Sequence, residues 1–382
     1  MSSVEEFRTE VRTWLQANLR GEFADLVGRG GPGREHEVFA ERLAWERHMA
    51  AHGWTCIGWP KEYGGRGASI GEQIAFHEEY ALANAPARVN HIGEQLLGPT
   101  LIAYGTQRQK DRFLPPIVAV EELWCQGYSE PDAGSDLANV RTRASPSQDG
   151  WVVNGQKIWT SLAHESQWCF VVARTEPGSS RHSGLSYLLV PMDQPGVEVR
   201  PIVQLTGTSE FNEVFFDDAR ADAAHVVGEA GDGWRIAMAT LGFERGVSTL
   251  GQQVGFTREL DALVEVARRN GALSDPLVQD RLVRAWTGLE VMRAHFQRGD
   301  VSPSVAKLYW ATWHRDLGEL AMEVRGAASL VAESAPYELD DWQRLFLFSR
   351  ADTLYAGSDE IQRNIIAERE LGLPREAKGT RT

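Results

Sequence analysis

A chain of 382 residues with 42% hydrophobic residues and 13 tryptophans can bury a sizeable core and is long enough for two or three domains. Its formal charge of −14 argues against a general nucleic-acid or anionic-membrane surface, which needs clustered lysine and arginine, and leaves room only for a local basic pocket. Cys56, Cys125 and Cys169 are widely spaced and form no CxxC pair, so they suggest neither a disulfide framework nor a zinc site and read as buried free thiols.

The opening MSSVEEFRTEVRTWLQANL is charged throughout and lacks the apolar run of a signal peptide. No segment is apolar over the length of a membrane span, which predicts a cytoplasmic protein. Val4, Phe7, Val11, Trp14 and Leu15 recur at spacings of three and four and predict an amphipathic first helix. The Gly-rich stretch Gly28 to Gly33 separates it from a second helix over 38–51. WPKEYGGRGAS at 59–69 has to be loop, because it combines a proline with three glycines, and a third helix is predicted over 70–82. His48 and His52 lie four apart, as metal ligands can, but no third ligand accompanies them and they read as a surface pair.

After Pro115 and Pro116 the pattern turns to short β-rich runs at 151–159, 168–175, 185–192, 197–202 and 212–218, punctuated by turn pairs such as Asn154-Gly155 and Pro195-Gly196. These predict a compact antiparallel β domain. From Gly233 the helical period returns: Ile236, Thr240, Phe243, Val247, Leu250 and Val254 trace one stripe, and Val278, Leu282, Ala285, Leu289, Met292 and Phe296 a second. Further helices are predicted around 303–333, around 340–355 and after Ser358, giving an antiparallel bundle. The fold class is α+β: a helical domain over 1–120, a middle antiparallel β domain over 121–227 and a helical bundle over 228–382.

Neither GxGxxG after a strand nor GxxxxGK[ST] is present, so Rossmann and P-loop sites are unsupported. The informative segment is QGYSEPDAGSDLANVRTRA at 126–144, where Ser129, Pro131, Gly134 and Ser135 offer hydroxyls and close backbone approach. A second, NGQKIWTSLAHESQWCFVVART at 154–175, carries Trp159 and Ser161. Taken singly, these are an ordinary turn and a core tryptophan. Together, and with GWTCIGWPKEYGGRG at 53–67 and GSDEIQRNIIAERELGLPRE at 357–376, they resemble the acyl-CoA dehydrogenase family over nearly the whole chain.

The resemblance implies an N-terminal helical domain, a middle β domain and a C-terminal four-helix bundle, with FAD between the last two. It implies that Gln126, Ser129, Gly134, Ser135, Trp159, Ser161, Ser358 and Glu360 contact FAD, with Trp159 packing on the isoalloxazine and Ser161 reaching its N5 region. Ser135, Arg245 and Ala356 are the implied substrate contacts. Many members carry the catalytic base as the Glu of a late Tyr-Glu-Gly-Thr stretch; here Tyr355, Ala356, Gly357 and Ser358 stand there, and alanine cannot accept a proton. A subset that includes isovaleryl-CoA dehydrogenase places the base in a Glu-Arg pair on the first long C-terminal helix, which corresponds to Glu244 and Arg245. Glu244 lies about 100° round the helix from the apolar stripe. Glu244 is therefore the expected base, with the thioester oxygen held by the Ala356 N–H and a flavin ribityl hydroxyl, and an electron-transferring flavoprotein as the acceptor.

Homotetrameric members hold a neighbour's FAD through Arg-x-x-Phe-Gly and Gln-x-x-Gly-Gly. The corresponding residues here are Arg268-Arg269-Asn270-Gly271 and Glu323-Val324-Arg325-Gly326-Ala327, which lack the Phe, the Gln and the paired glycines. This departure resembles actinobacterial steroid-catabolic members that assemble as heterotetramers with a second acyl-CoA dehydrogenase-like subunit. The expected substrate is an acyl-CoA with a bulky polycyclic group, or else a branched or medium-chain one. A non-catalytic or half-site subunit, and a flavin-dependent oxidase or monooxygenase on the same fold, are the other readings.

Overall fold

The structure, a computed structural model, describes residues 3–244, 251–298, 302–332 and 338–375, apart from the side chains of Glu244, Phe296 and Gln297. The chain forms two compact units, residues 1–251 and 252–382.

The first unit opens with helices α1 (Val4–Asn18), α2 (Phe39–Ala51), α3 (Ile70–Leu82), α4 (Gly98–Tyr104) and α5 (Gln107–Val118). Local chemistry starts three of them: Ser3 with Glu6, Ser69 with Glu72 and Thr106 with Gln109 form reciprocal capping boxes that satisfy otherwise unpaired N–H groups. On α1 the spacing of Phe7, Val11 and Leu15 puts all three into the core beside Trp45, Met49, Trp54 and Phe76. The predicted break at Pro115 and Pro116 lies inside α5 rather than at its start. Both sit near its C-terminal end, where each costs one N–H bond to the preceding turn, and their carbonyls accept from Ala119 N (2.9 Å) and Glu121 N (2.8 Å) to close the helix. His48 is not a surface residue: it is half-buried, stacks on Trp14 and Trp45, and bonds Asn18 Oδ1 at 2.9 Å.

Eight strands follow: β1 (Trp124–Gly127), β2 (Arg143–Ser147), β3 (Gly150–Ser161), β4 (Trp168–Arg174), β5 (Leu185–Pro191), β6 (Val197–Ile202), β7 (Phe211–Asp222) and β8 (Val226–Val227). They form one sheet in the order β6-β7-β3-β2-β4-β5-β8, with β1 added beside β4. The sheet is antiparallel except at β4, which pairs in parallel with β1 over four residues and with β2 through Arg143 and Arg174 alone. Parallel neighbours need a long connection, and the β2–β3 hairpin lies inside it. Cys125 and Cys169 face each other across this parallel pair; with Cys56 they are buried free thiols, as expected.

Helix α6 (Gly233–Glu244) packs on this sheet within the first unit, its Ile236 and Ala237 joining Phe170, Leu185 and Tyr187 in one core. The approach is close: a Cβ on Gly233 would lie 2.5 Å from backbone atoms of Ser186. Residues 245–250, including Val247 and Leu250 of the predicted stripe, lie outside the described residues.

In the second unit, α7 (Gln252–Arg269), α8 (Pro276–Arg298), α9 (Pro303–Arg325) and α10 (Asp341–Asp352) surround a core of Phe256, Leu260, Leu282, Leu289, Trp310 and Leu317. A shorter helix, α11 (Asp359–Ile365), follows a turn over 353–358. No described helix is long and apolar enough to cross a membrane.

Candidate functional site

The β1 and β3 ends that carry the predicted residues are held together by one buried ion pair. Along β3, Val153, Gly155 and Lys157 share a face by the two-residue period, which carries the Lys157 side chain into the core beside Val153. The ammonium is fully buried and spends its donors on Glu130 Oε1 (2.8 Å) and the carbonyls of Val172 (2.8 Å) and Tyr128 (3.0 Å). Glu130 also accepts from the backbone N–H groups of Arg141 (2.5 Å) and Thr142 (2.8 Å). Burial lowers the Lys157 pKa and alone would raise that of Glu130, but the Lys157 charge and these hydrogen bonds hold the carboxyl below its usual range. Ile158 N donates to Ser129 O at 2.9 Å, so the segment 128–130 is fastened to β3 on both sides of Ser129.

Beyond Lys157 the strand changes face. The period would place Trp159 inside with Lys157, but the β3–β7 register shifts between Lys157 and Thr160 and Trp159 takes a left-handed φ of 60°. Thr160 is thereby buried and Trp159 is 55% exposed, its ring edge-on to Phe211 at 6.1 Å. A non-glycine residue in this conformation costs about 1–3 kcal/mol, and such strain gathers at ligand sites. Leu162 is also left-handed, at φ 53°, and its N–H bonds Glu210 O at 3.0 Å.

Among the described residues, the buried Gln126 Nε2, Thr142 Oγ1, Thr160 Oγ1 and Glu210 Oε1 have no hydrogen-bond partner. An orphaned buried donor is costly unless a ligand completes it. Ser129 and Ser161 are half-buried, while Gly134 and Ser135 are exposed just past the Pro131-Asp132 turn that Glu130 and Ala133 close by mutual backbone hydrogen bonds. A Cβ on Gly134 would meet nothing within 4 Å, so no internal contact demands glycine there. An exposed aromatic face, unsatisfied polar groups and an open glycine turn suit a flat heteroaromatic ring with a phosphate-bearing tail.

A basic recess of about 360 Å³ lies beside the same segment, lined by Asn139, Arg141, Arg143, Arg174 and the 179–181 loop with Arg181. Arg174 builds it: its guanidinium donates to Ser179 Oγ and to the carbonyls of Ala138, Val140, Arg181 and Ser183 at 2.9–3.3 Å. Arg143 and Arg181 are exposed and line the recess. In a chain of net charge −14 this is the local basic pocket that composition allowed.

In the second unit, the turn over 353–358 and the start of α11 hold Ala356, Ser358 and Glu360. Ala356 and Gly357 are left-handed, at φ 52° and 87°, and the buried Gln362 amide donates to both their carbonyls, at 3.1 and 3.2 Å. Ser358 is the N-cap of α11, accepting from Ile361 N at 3.4 Å, which occupies one of its lone pairs. Glu360 is exposed, and backbone hydrogen bonding at the helix start lowers its pKa. Glu244 ends α6, one turn past the buried Thr240, whose hydroxyl meets that of Thr100 at 2.8 Å. The Glu244 side chain and Arg245 lie outside the described residues.

The structure thus brings Gln126, Ser129, Ser161 and Trp159 to adjoining strand ends, and groups Ala356, Ser358 and Glu360 along the turn and the first residues of α11. Sequence reasoning missed Lys157, Glu130, Thr160 and Gln362. A lysine at the buried parity of β3 was the available signal for the first of these.

Sequence profiles of three domains match in order: the acyl-CoA dehydrogenase N-terminal domain over 2–121, the middle domain over 125–219 and the C-terminal domain over 231–371. The acyl-CoA dehydrogenase IpdE1 of Mycobacterium tuberculosis is 66% identical over 387 residues, covering 99% of this chain and all of that one. IpdE1 of Mycolicibacterium smegmatis is 65% identical over 394 residues, with the same coverage. Among solved structures, the ChsE4-ChsE5 complex from Mycobacterium tuberculosis aligns with a TM-score of 0.82 and 31% identity over 98% of this chain and 99% of that one. The Tcur3481-Tcur3483 steroid ACAD aligns with a TM-score of 0.83 and 30% identity over 98% of each chain. With domain matches along most of its length and relatives this close, the chain belongs to the acyl-CoA dehydrogenase family.

Proposed function

We propose that the chain is the catalytic, flavin-carrying subunit of a heteromeric acyl-CoA dehydrogenase that desaturates a steroid-derived CoA thioester between Cα and Cβ. The observation that carries this reading is the strained bulge at Trp159, which turns an indole face outward, together with a buried Gln126 amide on β1 that has no hydrogen-bond partner among the described residues. Those groups fit FAD, which when bound supplies the hydride acceptor for the β carbon.

Each residue of this chain then has a task. Trp159, Gln126, Ser129 and Ser161 hold the flavin ring, and Gly134 and Ser135 let its tail approach the backbone. Arg143 and Arg181 take phosphate groups of CoA. The Ala356 N–H donates to the thioester oxygen, where negative charge develops as the α proton departs. Glu244 is the base: substrate binding desolvates its carboxylate, which takes the α proton. Electrons leave to an electron-transferring flavoprotein.

Heteromeric assembly is supported by what occupies the positions at which homotetrameric members hold a neighbour's FAD. Arg268 pairs with Glu265 at 2.6 Å, Glu323 pairs with Arg281, and Asn270 Nδ2 caps Val324 O at 2.8 Å. These side chains are used internally. The structural relatives named as two-component assemblies support this, and the word steroid in the name of one of them supports the choice of acyl group.

The test is anaerobic mixing of the flavin-loaded protein, with its partner subunit, against steroid and fatty acyl-CoAs, comparing wild type with Glu244→Gln. Wild type should bleach the flavin with a steroid thioester, and the variant should bind FAD and ligand yet bleach at least a hundredfold more slowly. Equal bleaching would remove Glu244 as the base. A fully loaded, active homotetramer from this chain alone would remove the heteromeric reading.

A further inference from the structure

Ala356 poses a physical problem that its neighbours solve. A left-handed alanine costs about 1–2 kcal/mol, and its methyl group can make no hydrogen bond to hold the turn in place. Something else has to fix the 353–358 turn.

A chain of charged groups centred on the buried His314 and Asp352 ends at it. His314, on α9, bonds Asp352 Oδ2 through Nδ1 at 2.6 Å and Glu259 Oε2 through Nε2 at 2.9 Å. With a carboxylate at each ring nitrogen, a neutral imidazole would turn a lone pair toward negative charge, so the ring carries both protons. Burial opposes the charge, but Glu259 and Asp352 outweigh it and push the pKa up to about 10. The second oxygen of Asp352 accepts from the Tyr355 hydroxyl, and the Asp352 carbonyl accepts from Lys307 Nζ at 2.6 Å. Lys307 also lies 3.8 Å from Asp359 Oδ1, on the far side of the turn. The path from α7 through α9 and α10 therefore reaches Tyr355, the residue before Ala356, while Gln362 pins the Ala356 and Gly357 carbonyls from α11. With the carbonyls pinned, the N–H of Ala356 has no acceptor among the described residues.

We propose that His314, as an imidazolium clamped between Glu259 and Asp352, is a positioning residue for the reaction: through Asp352 and Tyr355 it sets the turn that aims the Ala356 N–H at the thioester oxygen. The assignment rests on the oxyanion role given to Ala356 above. It makes no claim that His314 touches substrate.

The experiment uses the partner-loaded holoenzyme and compares wild type with His314→Gln, Tyr355→Phe, the double variant, and Glu259→Gln. The last lies at the more exposed end of the path, keeps a hydrogen bond and guards against misfolding of the others. Steady-state kinetics with the thioester and amide hydrogen exchange over 351–362 are read together. Expected are a roughly tenfold fall in kcat for His314→Gln and Tyr355→Phe with KM within twofold, because the N–H matters most where charge develops. Glu259→Gln should fall in the same direction by less. Exchange should quicken across 353–358, and the double variant should be no worse than the poorer single one. Unchanged exchange in 353–358 with wild-type kcat overturns the positioning role, as does a slow His314→Gln beside an unaffected Tyr355→Phe. Faster exchange with wild-type kcat overturns the oxyanion role of Ala356 instead, and so separates the two claims.

Discussion

Lys157 and Glu130, 27 residues apart in sequence, meet at 2.8 Å in a buried ion pair that fastens the end of β1 to the end of β3. The pair brings Ser129 and Trp159 to one place without touching either side chain. Every donor of the ammonium and two further backbone N–H groups are satisfied by it, so its worth lies in completeness rather than in the ion pair alone.

Removing one partner should therefore cost more than removing both. Lys157→Met leaves the Glu130 charge buried with only backbone partners and should lower unfolding free energy by about 3–5 kcal/mol. Adding Glu130→Gln should recover part of the loss, giving a double variant less damaged than the sum of the singles. Urea unfolding of the three variants measures this, and strict additivity would show that the two groups act independently.

Trp159 offers the opposite case, a residue costly to the fold and useful only to a ligand. Its side chain is 55% exposed and its φ of 60° suits glycine. Trp159→Gly should leave the flavin-free protein as stable as wild type or up to about 1 kcal/mol more stable. Flavin affinity should fall by about tenfold or more, since the aromatic face is lost. Thermal unfolding of the flavin-free protein and a fluorescence titration with FAD read the two effects separately.

Regular periodicity made much of the fold legible. The helix over 70–82 and the strand over 197–202 are found with the bounds that the pattern predicted, and the stripe through Val278, Leu282, Leu289 and Met292 is buried on α8. Short or polar strands were not: β2 reads Arg-Ala-Ser-Pro-Ser, with no alternation to find, and β8 has two residues. The parallel pairing of β1 is a tertiary choice that no local pattern encodes. At the site, the motif pointed to the ends of β1 and β3, but the reversal at Trp159 depends on a one-residue bulge against β7. The Lys157–Glu130 and His314–Asp352 pairs depend on contacts between distant segments.

The basic recess separates two kinds of arginine. Arg174 spends its guanidinium on five groups of its own chain, so Arg174→Ala should unravel the 138–140 and 179–183 loops. Arg143 is exposed at the rim. Arg143→Glu should leave thermal stability unchanged and weaken binding of an acyl-CoA by about tenfold or more, the worth of one charge-assisted phosphate contact. The matching acyl-pantetheine, which lacks the nucleotide phosphates, should bind wild type and variant alike. Equal loss for both ligands would place the CoA phosphates elsewhere.

Two histidines give the two units opposite responses to pH. His314 has its folded pKa raised to about 10, so the stability it contributes to residues 252–382 is complete below about pH 6.5, the usual unfolded value. That contribution drains away as pH rises from 6.5 toward 10, by at most about 5 kcal/mol. His77, half-buried on α3, has its folded pKa lowered to about 4 by desolvation and then by the Arg88 charge. Between pH 6.5 and 4 the unfolded chain binds the extra proton, so residues 1–251 lose stability as pH falls, by at most about 3 kcal/mol. Calorimetric unfolding from pH 4 to 10 should show two limbs, the acid one flattened by His77→Gln and the alkaline one by His314→Gln. If His314→Gln leaves the alkaline limb as steep as before, the imidazolium does not hold α7, α9 and α10 together.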